Sequence, residues 1–212
     1  MSRPENQLPP ELYYNTSEAS KYESNTRVQN IQRQLTERAI ELLDAEPGSY
    51  ILDIGCGSGI SSETLQENDH MWEGIDISRD MLSIAASKED ALGGLWQVDI
   101  GQGWKFRPGV FDGAISISTI QWLCVASKKN DNPFKRCCKF FQSLYDCLGI
   151  GKRAVLQFYP DGKHQLEMIT SAAMKSGFSG GLVIDYPNSA KAKKYFLVIE
   201  AGARRNLNIV EI

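Results

Sequence analysis

"LDIGCGSG", residues 52 to 59, follows the apolar start "YI" and precedes "ISSETLQE", a run suited to a helix. A buried strand that turns sharply into a helix has this form, with Gly55, Gly57 and Gly59 bending the backbone and bringing amide N–H groups towards a ligand. The spacing is G-x-G-x-G, not the G-x-G-x-x-G of dinucleotide-binding turns. Asp53 stands two residues before the first glycine. A carboxylate there repels a pyrophosphate and suits a ligand that carries positive charge, such as a sulfonium nucleoside.

Outward from this turn, strands and helices alternate. "WEGIDI", "GLWQVDI", "FDGAISIS" and "RAVLQFY" read as further strands, separated by helical stretches that include 134–147 and "HQLEMITSAAMKSG". The alternation predicts a doubly wound α/β sheet. "GGLVIDY" and "KYFLVIE" have too short a link for a parallel crossover, so one strand is expected to run antiparallel. The expectation is a seven-stranded, mostly parallel Rossmann-like sheet. Before it, Val28, Ile31, Leu35, Ala39 and Leu42 mark one face of a helix that stops at Pro47-Gly48. The organisation is a single domain: an arm and helix over 1–45 covering the cofactor site, a core over 46–200 and a tail over 201–212.

Two more acids close strands on the same rim. Asp76 ends the second strand and can accept both ribose hydroxyls. Asp99 ends the third and can accept an adenine amino group, with the Ile100 N–H facing a ring nitrogen. Ile77 and Met81 can sandwich the base. Taken singly, each Asp reads equally well as a loop or cap residue. Together with the backbone at Cys56 and the glycines, they point to S-adenosyl-L-methionine as cofactor and to an α/β fold of the class I S-adenosylmethionine-dependent methyltransferase type.

Composition narrows the class. The 212 residues are 42% hydrophobic and 23% charged, with net charge −3. No run of ~18 apolar residues spans a membrane, and "MSRPENQLPP" lacks the apolar core of a secretory signal, so an intracellular protein is expected. Five cysteines in no C-x-x-C pair and two histidines indicate neither a disulfide framework nor a metal site. Basic residues gather at 128–139, at "KAKK" (191–194) and at Arg204-Arg205. Each cluster reads first as solvated surface, and together they permit phosphate contact.

The fourth strand ends in "SISTIQWLC" (116–124), which carries hydroxyls, an amide and an indole but no acid or base. Asn/Asp-Pro-Pro-Tyr, a Pro-Cys nucleophile and a lysine at this strand end are all missing, which argues against amide or adenine-N6, cytosine-C5 and ribose-O acceptors. An acceptor already nucleophilic at neutral pH remains. Guanine N7 needs only orientation, and an aromatic face tolerates the cationic product. Ser116, Ser118, Gln121 and Trp122 are expected at the junction of methyl and acceptor, with Trp122, Gln121 and Ser118 positioning the base. Tyr13, Tyr14, Lys21 and Tyr22 are expected to cover it.

"SRPE", "PPELYYN", "LDIGCGSG", "FDGAISIS", "IQWLC", "QFYP" and "GFSGGLV" followed by "DYPNS" and "KAKKY" resemble the eukaryotic 18S rRNA (guanine-N7)-methyltransferase family, over about residues 2–200. The resemblance implies methylation of a guanosine in 18S rRNA during small-subunit biogenesis, in the nucleus, nucleolus and cytoplasm. It also implies a small zinc-binding activator protein as partner, docked on the third strand near Leu95 and Trp96, beside Met71 and Trp72. Family members usually read Asn-Ala-Asp after "QWLC", where this chain has Val125-Ala126-Ser127, and usually continue into a basic tail. The alternatives are a small-molecule methyltransferase and an assembly factor that acts mainly by binding.

Overall fold

The computed structural model describes residues 3–88, 92–126, 131–189, 191–202 and 208–211. Three helices come first: Pro10–Tyr13 (α1), Thr16–Ser24 (α2) and Thr26–Leu43 (α3). Asn15 caps α2, its side chain accepting from the Ser17 and Glu18 amides, and Asn25 caps α3 through the Val28 amide. An Asn before each helix supplies the oxygen that the free first-turn N–H groups need.

The alternating core follows as Tyr50–Ile54 (β1), Ile60–Glu67 (α4), Met71–Asp76 (β2), Arg79–Ala86 (α5), Gly94–Gln97 (β3), Phe111–Ile117 (β4), Pro133–Cys147 (α6), Leu148–Phe158 (β5), Lys163–Lys175 (α7), Ser179–Asp185 (β6) and Lys194–Glu200 (β7). A short strand, Asn208–Glu211 (β8), lies in the segment expected as a tail. The order is β3-β2-β1-β4-β5-β7-β6-β8. β7 is the antiparallel member, against both β5 and β6, while β8 joins β6 in parallel. The seven expected strands are thus present, and β8 adds an eighth at the far edge.

Each face of the sheet is covered. On one, Leu35, Ala39 and Leu43 of α3 pack with Ile51, Ile115, Val155 and Phe196. The i, i+4 stripe puts Leu43 rather than Leu42 in the core and leaves Ile31 partly exposed. On the other, Phe140, Phe141 and Leu144 of α6 and Ile169 of α7 bury against Leu52, Ala154 and Leu156. The parallel order β3-β2-β1-β4 brings four strand ends to one rim, where open α/β sheets form their binding crevice.

Candidate functional site

A cleft opens at that rim, lined in part by Gly55, Cys56, Gly57, Asp76, Ile77, Met81, Asp99, Ile100, Ser118 and Trp122. It encloses about 990 Å³ of non-atom space, its open mouth included.

The glycine turn is held by its own backbone. The Gly55 and Cys56 amides both donate to the Ile75 carbonyl, at 2.7 and 3.2 Å. Gly55 has φ +75°, and a Cβ there would sit 2.1 Å from Thr119 Oγ1. Glycine is therefore required twice, by conformation and by the close approach of the residue after Ser118.

Asp76 ties the turn to the next strand end. Its Oδ2 accepts from the Gly57 amide at 3.0 Å and its Oδ1 from the Ser78 amide at 2.8 Å. Burial raises its pKa, and those N–H bonds oppose the rise. Each oxygen keeps a lone pair for a further donor. Asp99 Oδ1 accepts from the Gly101 amide at 2.9 Å and from Arg136 Nη2 at 3.0 Å. Between the two acids, Ile77, Met81 and Val98 make an apolar slot. Carboxylates flanking such a slot fit a nucleoside.

Asp53 lies behind the glycine turn, fully buried. Its Oδ2 accepts from the Ser61 and Ser62 hydroxyls, each at 2.7 Å, while Oδ1 is buried without a partner. Burial is the main cause that raises its pKa to about 6. A half-satisfied acid beneath a cleft that already holds Asp76 and Asp99 suits a cationic ligand better than an anionic one. The donor set fits S-adenosylmethionine.

The arm roofs the cleft. Arg3 Nη1 donates to the Tyr159 carbonyl at 2.9 Å, and Ser78 Oγ donates to the Tyr14 carbonyl at 2.8 Å. The Tyr14 ring packs on Tyr22 at 6.0 Å and on Trp122 at 5.8 Å, and Tyr13 packs on Trp122 at 5.9 Å. Burial pushes the Tyr14 and Tyr22 phenols well above their ordinary range, so both stay neutral. Lys21, expected with them, instead pairs with Glu18 on the exposed side of α2.

The end of the cleft where the sequence predicts the acceptor is built by β4 and the turn Ile120–Cys124. Ser118 and Trp122 line the cleft, whereas Ser116, Gln121, Gly59 and Asp53 stand outside its described wall. Ser116 Oγ is fully buried and donates to the Ile54 carbonyl at 2.9 Å, joining β4 to β1. Gln121 Nε2 donates to the Ser118 carbonyl at 2.8 Å. Ser118 has φ +56°, a conformation that costs a non-glycine residue on the order of 1–3 kcal/mol and needs support from its surroundings.

Several wall residues carry no local signal in the sequence: Gln32 and Thr36 from α3, and Arg136. Arg136 belongs to the basic cluster over 128–139 but is spent on Asp99 and Asp131. Lys128, Lys129, Ser127, Arg204 and Arg205 lie outside the described residues.

Residues 51–140 match the family described as "Methyltransferase domain". The chain is 52% identical over 209 residues to the 18S rRNA (guanine-N7)-methyltransferase bud23 of Schizosaccharomyces pombe, covering 99% of this chain and 78% of that protein. It is 54% identical over 207 residues to the 18S rRNA (guanine-N7)-methyltransferase of Mus musculus, covering 97% and 73%. Among solved structures, a Haemonchus contortus phosphoethanolamine N-methyltransferase with S-adenosyl-L-methionine bound superposes with TM-score 0.64 at 22% identity, over 84% of this chain and 45% of that one. A complex of the Haloferax volcanii Trm112 methyltransferase activator with a methyltransferase gives TM-score 0.62 at 14% identity, over 88% and 98%. The structural likenesses establish the fold, the class I methyltransferase sheet. The two relatives, each matched over most of its length, establish that the chain belongs to the 18S rRNA (guanine-N7)-methyltransferase family.

Proposed function

We propose that this chain methylates N7 of a guanine in 18S rRNA, with S-adenosylmethionine as methyl donor and a small zinc-binding activator as partner. The observation that carries the reading is the division of the cleft. Its charged groups, Asp76, Asp99 and Arg136, lie towards β2 and β3, while the described lining at the β4 end is Ile117, Ser118, Thr119, Trp122 and Leu123. That end offers no general base, so it suits an acceptor with a free lone pair, which guanine N7 has.

When bound, the cofactor supplies a methyl group on a cationic sulfur, open to in-line attack. Asp76 and Asp99 hold the nucleoside end. Gly55 lets the backbone approach closely, and Asp53 adds negative charge beneath. Trp122 offers the acceptor base a flat face, with the Tyr13 and Tyr14 rings packed beside it. The family membership supports 18S rRNA as the acceptor, and the proposal extends to a role in small-subunit biogenesis, in the nucleus, nucleolus and cytoplasm. A cleft roofed by Tyr14 and Tyr22 also fits a small-molecule acceptor, which is the second reading.

The activator belongs at the β3 edge. β3 pairs with β2 alone among the described strands, and Trp96 and Met71 beside it are 52% and 60% exposed. Trp72 is buried and serves the core. An open strand edge carrying large apolar side chains is an aggregation hazard unless covered. The Haloferax complex supports a methyltransferase of this fold binding such an activator. Transfer of labelled methyl to small-subunit precursor rRNA, with and without activator, tests the reading. Incorporation into the RNA supports it, and incorporation only into small molecules favours the second reading.

A further inference from the structure

Gln157 sits in the middle of the sheet with no exposure, an unusual place for an amide that the function described so far does not use. Its Oε1 accepts from both the amide and the hydroxyl of Ser118, at 3.0 and 2.9 Å. Its own carbonyl also accepts from the Ser118 amide at 3.0 Å, and its Nε2 donates to the Phe158 carbonyl at 3.3 Å. With Nε2 engaged in that way, Oε1 is the end that faces Ser118. Gln121 completes the clamp on the Ser118 carbonyl. Every polar group of Ser118 is therefore held, in a left-handed backbone conformation, at the wall of the cleft.

The chemical consequence concerns the hydroxyl. A serine hydroxyl has one hydrogen and two lone pairs. Here the hydrogen is committed to Gln157, so any group reaching Ser118 Oγ from the cleft meets an acceptor. Ser118 also directly follows β4, which lies across β1 from the strands that lead to Asp76 and Asp99. A nucleoside anchored at those acids would turn its sulfonium end towards the β4 side of the cleft. The group arriving at Ser118 is then the methyl being transferred, whose hydrogens carry partial positive charge and form weak C–H···O contacts.

We propose that Gln157 is a positioning residue that fixes Ser118 Oγ as an acceptor for the transferring methyl group, aligning it for attack. The inference rests on the methyl-transfer function proposed above. No base is created. The pair orients the methyl, and the bond that forms and the bond that breaks are those of the transfer itself.

Gln157→Leu removes Oε1 yet keeps the backbone bond to Ser118, and Ser118→Ala removes only the hydroxyl. Cofactor labelled with ¹³C in its methyl group, bound to each variant, reads the contact without turnover. The methyl proton resonance is expected upfield of its wild-type position in both variants. With activator and rRNA, kcat is expected to fall on the order of tenfold to a hundredfold in each, while cofactor affinity stays within about threefold. The double variant should cost no more than the worse single one, because both remove one device. An unmoved methyl resonance, or losses that multiply, overturns the proposal. If Gln157→Leu fails to bind cofactor, Ser118→Ala alone decides by the same resonance. The wild-type arm reports on the function itself: no N7-methylguanine there sinks the proposed activity and this inference with it, whereas an active wild type with an unmoved resonance sinks the inference alone.

Discussion

Arg136, on α6, holds Asp99, at the end of β3, through a 3.0 Å bond from Nη2 to Oδ1. The Arg136 side chain is only 13% exposed and that of Asp99 27%, so this is an enclosed pair rather than a surface one. It turns the Asp99 carboxylate in the cleft wall and links the cofactor end of the site to the helix that also backs the core.

Removing Arg136 leaves a half-buried carboxylate uncompensated. Arg136→Ala is expected to weaken cofactor binding by roughly tenfold, the effect of losing about 1.4 kcal/mol, and to lower the melting temperature. Calorimetric titration with S-adenosylmethionine and a thermal melt check both. Arg136→Lys should recover only part, since a lysine lacks the planar fork.

Gly55 tolerates no side chain. Gly55→Ala meets Thr119 and a positive φ together, and the expected outcome is loss of measurable cofactor binding with a clear drop in melting temperature. Adding Thr119→Ala should relieve the clash but not the backbone strain, so recovery should be partial.

The raised pKa of Asp53 carries a pH signature. The folded protein binds its proton more tightly than the unfolded chain does, so between about pH 4 and 6 the native state holds more protons and Asp53 lowers stability as pH rises. The penalty is absent below the unfolded value and complete above about 6, where it amounts to ~3 kcal/mol. Asp53→Asn lacks this titration. Urea melts from pH 4 to 7 should therefore show wild type losing stability relative to the variant across that window. A constant difference would contradict the assignment.

At the β3 edge, Trp96→Asp is expected to abolish co-purification with the activator while leaving cofactor affinity unchanged. At the acceptor end, Trp122→Ala should lower RNA methylation with cofactor affinity near normal. If both fall together, Trp122 is a core residue, in keeping with its 9% exposure.

Much of this was legible in the sequence because strand-end chemistry is local. Asp76 and Asp99 each follow an apolar run, so their place on the rim follows from the strand that precedes them. What escaped depends on pairs far apart in the chain. Arg136 lies 37 residues from Asp99, inside a cluster that reads as surface charge, and nothing local marks it as a partner. Gln157 reads as one more strand residue until β5 is seen beside β4. Ser116 and Gln121 carry the right groups for an acceptor site, but their side chains are committed to the Ile54 and Ser118 carbonyls, outside the described wall. β8 is too short, and too far from the periodic core, to announce itself.

Chemical cleavage at N7-methylguanine tests the central claim most directly. Small-subunit precursor rRNA would be incubated with S-adenosylmethionine, the activator and either the wild-type chain or Asp76→Lys, which puts a cation at the proposed site of the ribose hydroxyls. One new cleavage position in 18S rRNA is expected with wild type and none with the variant. No new cleavage with wild type, despite bound cofactor and activator, would contradict it.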